Sequence, residues 1–491
     1  MARHYDYDIG IIGGGAAGLT TASGAARLGA KTLLIEKEQN LGGDCLHFGC
    51  VPSKTLIRSA HAYHTISNAP AYGLPAVDPA PVDFTKIRSR IAEVIATIQQ
   101  HDSEERFCGL GAKVEFGSPS FIDEYSITLN QQTVSARKWL ICTGSSPGIP
   151  PVPGLDQVDY ITNREIFSLD RLPGSMAIIG GGPIAVEMGQ AFSRLGTRVT
   201  VIERTDQILA REDKDLADEL MGQLSASGMA FYLQSTIIHA KDLGDKKEVL
   251  IRHANGEEIP VHAETILVAA GRTPNIEGLA LENAGVEYTG RGIPVDPRMR
   301  TSQKHIFAAG DVTGSYLFTH AAGYEGSIVI ANAVFRLPRK ADYTFLPWCT
   351  YTDPELASIG MNEKSAAVAG IGYTVWTEAF KDNDRSLAMG NTAGRIKMIL
   401  DKKENILGVQ ILGPGAGDLI NEWVAVTSGK VKLSTLASAV HPYPTLGEIN
   451  KRVAGAYLSP KIFSERIKKG LALFFSLKGR ACGKDIEKKA P

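Results

Sequence analysis

Apolar and polar positions along this 491-residue chain fall into two periods. Short unbroken apolar runs at 7–12 and 31–35 read as strands buried on both faces. Between them lies a helical pattern ending near Gly29. Further strands are expected at 113–116, 126–129 and 138–143. Residues 84–100 carry Ile87, Ile91, Val94, Ile95 and Ile98 on one helical face, a stripe for core packing. The strand–helix–strand pattern then recurs 167 residues later, Gly13 to Gly180 and Glu36 to Glu203. Strands near 249–253 and 265–269 follow, with an Asn255-Gly256 hairpin turn before the second. From about residue 347 strands alternate with one helix at 417–428. In the tail, Phe463, Ile467, Leu471, Phe474 and Leu477 sit at helical spacing.

Each repeat carries the same chemistry. Gly13-x-Gly15-x-x-Gly18 follows the first strand, and Glu36 ends the second. Gly180-x-Gly182-x-x-Ala185 and Glu203 repeat this arrangement. A glycine turn between strand and helix lets the backbone approach a pyrophosphate, and the helix N-terminus stabilises its charge. The terminal glutamate accepts hydrogen bonds from a ribose, with a solvated strand end as the bland alternative. Two such units imply two nucleotides. Glu203 suits a free 2′-hydroxyl, whereas the adjacent Arg204 could accommodate a 2′-phosphate.

Composition changes the picture little. A net charge of −1 gives no global attraction to nucleic acid. Six cysteines with one close pair are not a secreted disulfide framework. No apolar signal segment precedes the first strand, and no run reaches the roughly 18 apolar residues of a membrane span. A cytoplasmic protein is expected.

The close pair is Cys45 and Cys50, in GGDCLHFGCVPSKTL at 42–56. Residues five apart on a helix lie about 7–8 Å apart along its axis, more than the roughly 4.4–6.8 Å between disulfide Cα atoms. A local turn or a distorted first helical turn closes that gap, with Gly42, Gly43 and Gly49 supplying a permissive backbone. Such a pair can form and break a disulfide. It could also be two buried thiols, or part of a metal site with His47 as third ligand.

This stretch resembles the redox motif GGTCxxxGCxPSK of the pyridine nucleotide-disulfide oxidoreductases, broken only at Asp44. Those flavoenzymes include dihydrolipoamide dehydrogenase, glutathione reductase and mercuric reductase. The resemblance covers residues 5–460 and implies an α/β fold: two Rossmann-like domains, for FAD and NAD(P), plus a C-terminal α+β dimerisation domain. It implies FAD-binding segments at 1–152 and 278–346, an NAD(P)-binding domain at 153–277 and an interface domain at 347–460; beyond it lies a basic amphipathic tail at 461–491.

FAD is expected at Gly13, Gly15, Gly18, Glu36 and Gly43, with Thr143-Gly144 and Gly310-Asp311 matching the family's further flavin contacts. NADH or NADPH is expected at Gly180, Gly182, Glu203, Arg204 and Gly271, with NADH favoured by Glu203. Cys50 would be the thiolate facing the flavin and Cys45 the exposed sulfur that meets the acceptor. Lys54 would pair with Glu187, and Asp44 would disfavour a thiolate at Cys45. The resemblance further implies a homodimer in which the C-terminal residues of one subunit complete the other's site.

In 441–448, HPYPTLGE, Tyr443 holds the place of the histidine of dihydrolipoamide dehydrogenase and glutathione reductase, and Glu448 that of the glutamate that orients it. His441 lies two residues upstream. Mercuric reductases also carry tyrosine there, but this chain lacks their adjacent C-terminal cysteine pair. Cys482 is an incidental thiol or a lone counterpart of that pair. No resident metal ion is implied. The expected activity is NAD(P)H-dependent reduction of a small-molecule disulfide, quinone or metal ion. The alternatives are mercuric reductase, dihydrolipoamide dehydrogenase and a flavin-binding sensor without turnover. Residues 451–491 hold eleven Lys or Arg against three Asp or Glu. A helix packed on the dimer and a weak membrane-surface contact are the two expectations for that tail.

Overall fold

Ile9–Ile12 is the middle strand of a five-stranded parallel sheet in the structure, a computed structural model that describes residues 4–479 and 481. Its order is Ile306–Ala308, Trp139–Ile141, Ile9–Ile12, Thr32–Glu36, Ala112–Phe116. Every neighbouring pair runs parallel. The first four strands are buried along their whole length, so their apolar residues need no alternation. A Cβ on Gly10 would fall 2.1 Å from the ring of buried Trp139, so glycine is what lets that ring pack.

The repeated sequence builds a second parallel sheet, ordered Ala230–Tyr232, Arg198–Ile202, Ser175–Ile179, Thr265–Val268, Tyr160–Ile161. Helix Ala16–Arg27 leaves the first sheet as helix Pro183–Arg194 leaves the second. Both sheets lie in one unit, residues 1–356. Strands Lys247–His253 and Glu258–Ala263 pair antiparallel across the expected Asn255-Gly256 turn, where Gly256 has φ +88°.

Helix Thr319–Ala333 packs closely on Ala16–Arg27 through small residues. Thr21 donates to the carbonyl of Gly326 at 3.3 Å, and a Cβ on Gly326 would meet Ala17 O at 2.8 Å. The expected amphipathic helix spans Phe84–Gln99, capped by the Asp83 side chain. Only Phe84 and Ile91 are fully buried; the remaining stripe is half-buried.

Residues 357–491 form the second unit. Tyr373–Ala379, Arg395–Asp401 and Ile406–Gly413 are its antiparallel strands. The expected single helix is present as Ala416–Ser428, but it is accompanied by others, above all Glu448–Ile462. Ile449, Val453, Ala454 and Tyr457 form the buried side of Glu448–Ile462, while Gly455 and Pro460 dilute its helical signal. Buried Trp423 donates to Asn450 at 2.8 Å and ties the two helices together. No described helix is long and apolar enough to cross a membrane. Cys482 lies outside the described residues.

Candidate functional site

The two cysteines sit on either side of a break between helices. Cys45 belongs to the short helix Gly43–His47, and Cys50 is the first residue of Cys50–Ser67. Phe48 and Gly49 turn the chain between them. A Cβ on Gly49 would lie 3.0 Å from Asp44 O and 3.1 Å from Cys45 Cα, so a side chain there would press against the first cysteine. Pro52 is accepted in the first turn, where its missing N–H costs nothing. No disulfide joins the two cysteines in this structure.

The environment separates the two thiols. A hydrogen bond from Cys45 is the main cause that lowers the Cys50 thiol to about 6; burial opposes it, and Thr319 and the Lys54 charge assist. Thr319 Oγ1 lies 3.4 Å from Cys50 Sγ. The uncapped start of helix Cys50–Ser67 adds its positive end. Cys45 is pushed the other way, first because it is the donor to Cys50 and then by burial. Cys50 opens on the cleft where the flavin is expected, and Cys45 beside it is half-buried.

Lys54 lies one turn along the same helix and meets Glu187 at 2.8 Å. Burial disfavours its ammonium, but the charge and hydrogen bond of Glu187 raise the pKa nonetheless. The other oxygen of Glu187 accepts from the backbone N–H of Tyr351 at 2.8 Å, and the Lys54 ammonium lies 4.4 Å from the Tyr351 ring centroid. Asp44 is held by a partner distant in sequence. Its carboxylate accepts from Arg272 at 2.8 Å and more weakly from Asn163 at 3.4 Å. His47 is bonded to the carbonyl of Leu41 at 2.9 Å. Among the described residues neither cysteine belongs to a group of three His, Cys, Asp or Glu close enough to share a metal ion.

A cleft of about 1860 Å³ collects both glycine turns, both cysteines and Lys54 within the first unit. Helices Ala16–Arg27 and Pro183–Arg194 both start on it without a side-chain cap, leaving first-turn N–H groups for phosphate. A Cβ on Gly182 would meet nothing within 4 Å and would project into the space a pyrophosphate needs. Gly13 has φ +117°, and a Cβ there would sit 2.3 Å from Cys142 O. Gly18 is not on the cleft; it lets the helix approach the backbone of Gly13. Glu36 accepts from the N–H of Gly14 at 2.7 Å, and Glu203 from that of Gly181 at 2.6 Å. In each carboxylate the oxygen that accepts from the glycine keeps a lone pair for a ribose hydroxyl. Arg204, Gly43, Thr143, Gly144, Gly271 and Gly310 line the same cleft. These donor sets fit two dinucleotides, and Gly13, Gly15, Glu36 and Asp311 are the residues that would hold FAD.

Four supporting residues, Arg272, Ser145, Glu325 and Thr319, escaped the sequence. Arg272 joins Asp44 to the Asp311 turn: its Nε donates to Ser145 at 2.7 Å and lies 3.6 Å from Asp311. Ser145 in turn donates to Asp311 at 2.5 Å. Burial raises the Asp311 carboxyl, against the pull of Ser145 and Arg272. Buried Glu325 accepts from Gly310 N at 2.6 Å and from Tyr343 at 2.7 Å, pinning the same turn. A lone acid inside the otherwise apolar 319–333 segment was its signal. Thr319, the contact of Cys50, had none.

In the second unit, Tyr443 is exposed and donates to Asp384 at 2.7 Å. The expected partner Glu448 instead accepts from the N–H of Thr445 at 3.4 Å. Asp384 raises the Tyr443 pKa by holding its proton. His441 is bonded to Glu422 at 2.9 Å.

Comparison with known families matches residues 7–326 to the pyridine nucleotide-disulphide oxidoreductase model and 346–454 to that family's dimerisation domain. The chain belongs to this family. It is an oxidoreductase with FAD- and NAD(P)-binding sites, and the dimerisation domain supports a homodimer. It is 32% identical over 448 residues to a mercuric reductase of Staphylococcus aureus, covering 91% of this chain and 81% of that one. It is 33% identical over 459 residues to the dihydrolipoyl dehydrogenase of Geobacillus stearothermophilus, covering 92% and 96%. Among solved structures it resembles the Cu(II) complex of the HOCl-induced flavoprotein disulfide reductase RclA of Escherichia coli. There the TM-score is 0.81 at 28% identity, covering 91% and 99%. Denaturing the purified protein is therefore expected to release one FAD per chain, measured by absorbance and chromatography.

Proposed function

We propose that this protein is an NADH-dependent flavoprotein reductase that passes two electrons through Cys45 and Cys50 to a thiophilic, redox-active metal ion, with Cu(II) as the case to test first. FAD, when bound, carries the electron pair from the nicotinamide to the cysteine pair. Cys50 holds the thiolate, Cys45 keeps its proton, and Lys54, fixed by Glu187, supplies the neighbouring positive charge. Oxidation of this thiol–thiolate pair to the disulfide releases one proton and two electrons, and the electrons reduce two Cu(II) to Cu(I).

The observation that carries the choice of acceptor is Tyr443. Its hydroxyl is held by Asp384, at the place where the disulfide-reducing members of the family have histidine. A metal ion needs no protonated leaving group, whereas a disulfide does. The names of the relatives support the same choice, since they include mercuric reductases and a Cu(II) complex. NADH oxidation against Cu(II), Hg(II), a quinone, lipoamide and glutathione disulfide tests it. Higher kcat/KM with either disulfide than with the metal ions would refute it.

The choice of NADH rests on Glu203, whose carboxylate is anchored by Gly181 N and by Thr205 at 2.9 Å. Two like charges about 4 Å apart near a protein surface repel by about 4 kcal/mol. We expect kcat/KM to favour NADH by at least about ten-fold. Glu203→Ala should narrow the ratio, with Arg204 then free to serve a 2′-phosphate. A wild-type preference for NADPH contradicts this assignment.

A further inference from the structure

Beyond the family's matched segments the chain forms the helix Glu465–Phe475, which serves no part of the site above. None of its residues is buried. Ile467, Leu471 and Phe474 follow one another at spacings of four and three and share a face, with Phe475 beside them. Phe474 is 82% and Phe475 71% exposed. Arg466, Lys468 and Lys469 lie off that face. The single acid of the helix, Glu465, is spanned by Lys468 at 2.8 Å.

We infer that Glu465–Phe475 is an interfacial helix that lies on an anionic lipid surface. Charge selects this occupant. Residues 451–491 hold eleven Lys or Arg against three Asp or Glu, in a chain whose net charge is −1. A helix with aromatic and aliphatic residues on one face and lysines on the other buries the first in the headgroup boundary. The second then pairs with anionic headgroups. Each cation near such a surface contributes about 1 kcal/mol, about a five-fold change in partition. A second copy of the chain is the competing occupant, but the matched dimerisation segment ends at residue 454, before this helix begins. The inference is independent of the electron acceptor.

The test is co-sedimentation of the full-length holoenzyme with vesicles of equal phosphatidylcholine and phosphatidylglycerol, and with phosphatidylcholine alone. We expect binding to the mixed vesicles, little to the neutral ones, and loss in high salt. Lys468→Ala/Lys469→Ala should weaken partition about 25-fold. Phe474→Ser/Phe475→Ser should also release the protein. Both variants should keep NADH oxidation with a soluble acceptor, which establishes folding and reads the acceptor proposal separately. Equal pelleting of wild type and variants, or equal binding to both vesicle types, overturns the inference. So does a Phe474→Ser/Phe475→Ser variant that binds as before but falls from dimer to monomer by light scattering; that result gives the face to a second copy.

Discussion

Cys50→Ser is expected to abolish NADH-driven turnover and to remove the long-wavelength absorbance of the Cys50 thiolate against bound flavin. Cys45→Ser is expected to lose turnover as well, by at least about three orders of magnitude, yet to keep that band. The difference follows from the hydrogen bond between the two positions. Cys45 is the donor whose proton stabilises the Cys50 thiolate, and a serine hydroxyl can still donate. Serine at position 50 has no thiolate to offer. Because the Cys50 thiol titrates at about 6, the reduced enzyme holds mostly thiolate at pH 7. Lowering the pH through 6 protonates it, so the band should be half lost near that pH and absent about two units below. Lys54→Met removes a cation that favours the thiolate, which should move the midpoint upward. Absorbance titration of the reduced wild type and the three variants measures all of this. Retention of the band in Cys50→Ser would show that the roles are exchanged.

What the sequence could reveal was governed by period and by repetition. Strands buried on both faces, such as Ile9–Ile12 and Ser175–Ile179, leave unbroken apolar runs, and the glycine turns after them leave a fixed spacing. The helix Glu448–Ile462 leaves a weaker trace because Gly455 and Pro460 fall within it. Contacts between distant segments leave almost none. Asp44 is bonded to Arg272, 228 residues away, a partner that no local pattern around position 44 announces. Thr319 reaches Cys50 only because helix Thr319–Ala333 packs on Ala16–Arg27 through glycines and threonines. Residue types were readable, whereas side-chain direction depended on these long-range partners.

With a disulfide as acceptor the protein is expected to be slow. Reducing a disulfide requires a proton for the departing thiolate, and oxidising a dithiol requires a base. Histidine serves both, because its ordinary pKa of about 6.5 lies near operating pH. Tyrosine ordinarily titrates near 10, and Asp384 holds the Tyr443 proton more tightly still. General acid–base assistance is worth about 10²–10⁴ in rate. Activity with lipoamide and NADH, or with dihydrolipoamide and NAD, should fall short of an efficient disulfide reductase by a factor in that range. Tyr443→His should raise the disulfide activity and leave Cu(II) reduction unchanged, since only the first needs the proton. Asp384 would then face an imidazole in place of a phenol, and a carboxylate partner suits a histidine that must change charge. His441 already has such a partner in Glu422, so His441→Gln tests the one competing base in the segment. If wild-type disulfide turnover is fast and collapses in His441→Gln, the proton passes through His441 and the metal-ion proposal loses its main support. If it is fast and survives both substitutions, the acid–base group lies elsewhere and Tyr443 carries no information about the acceptor.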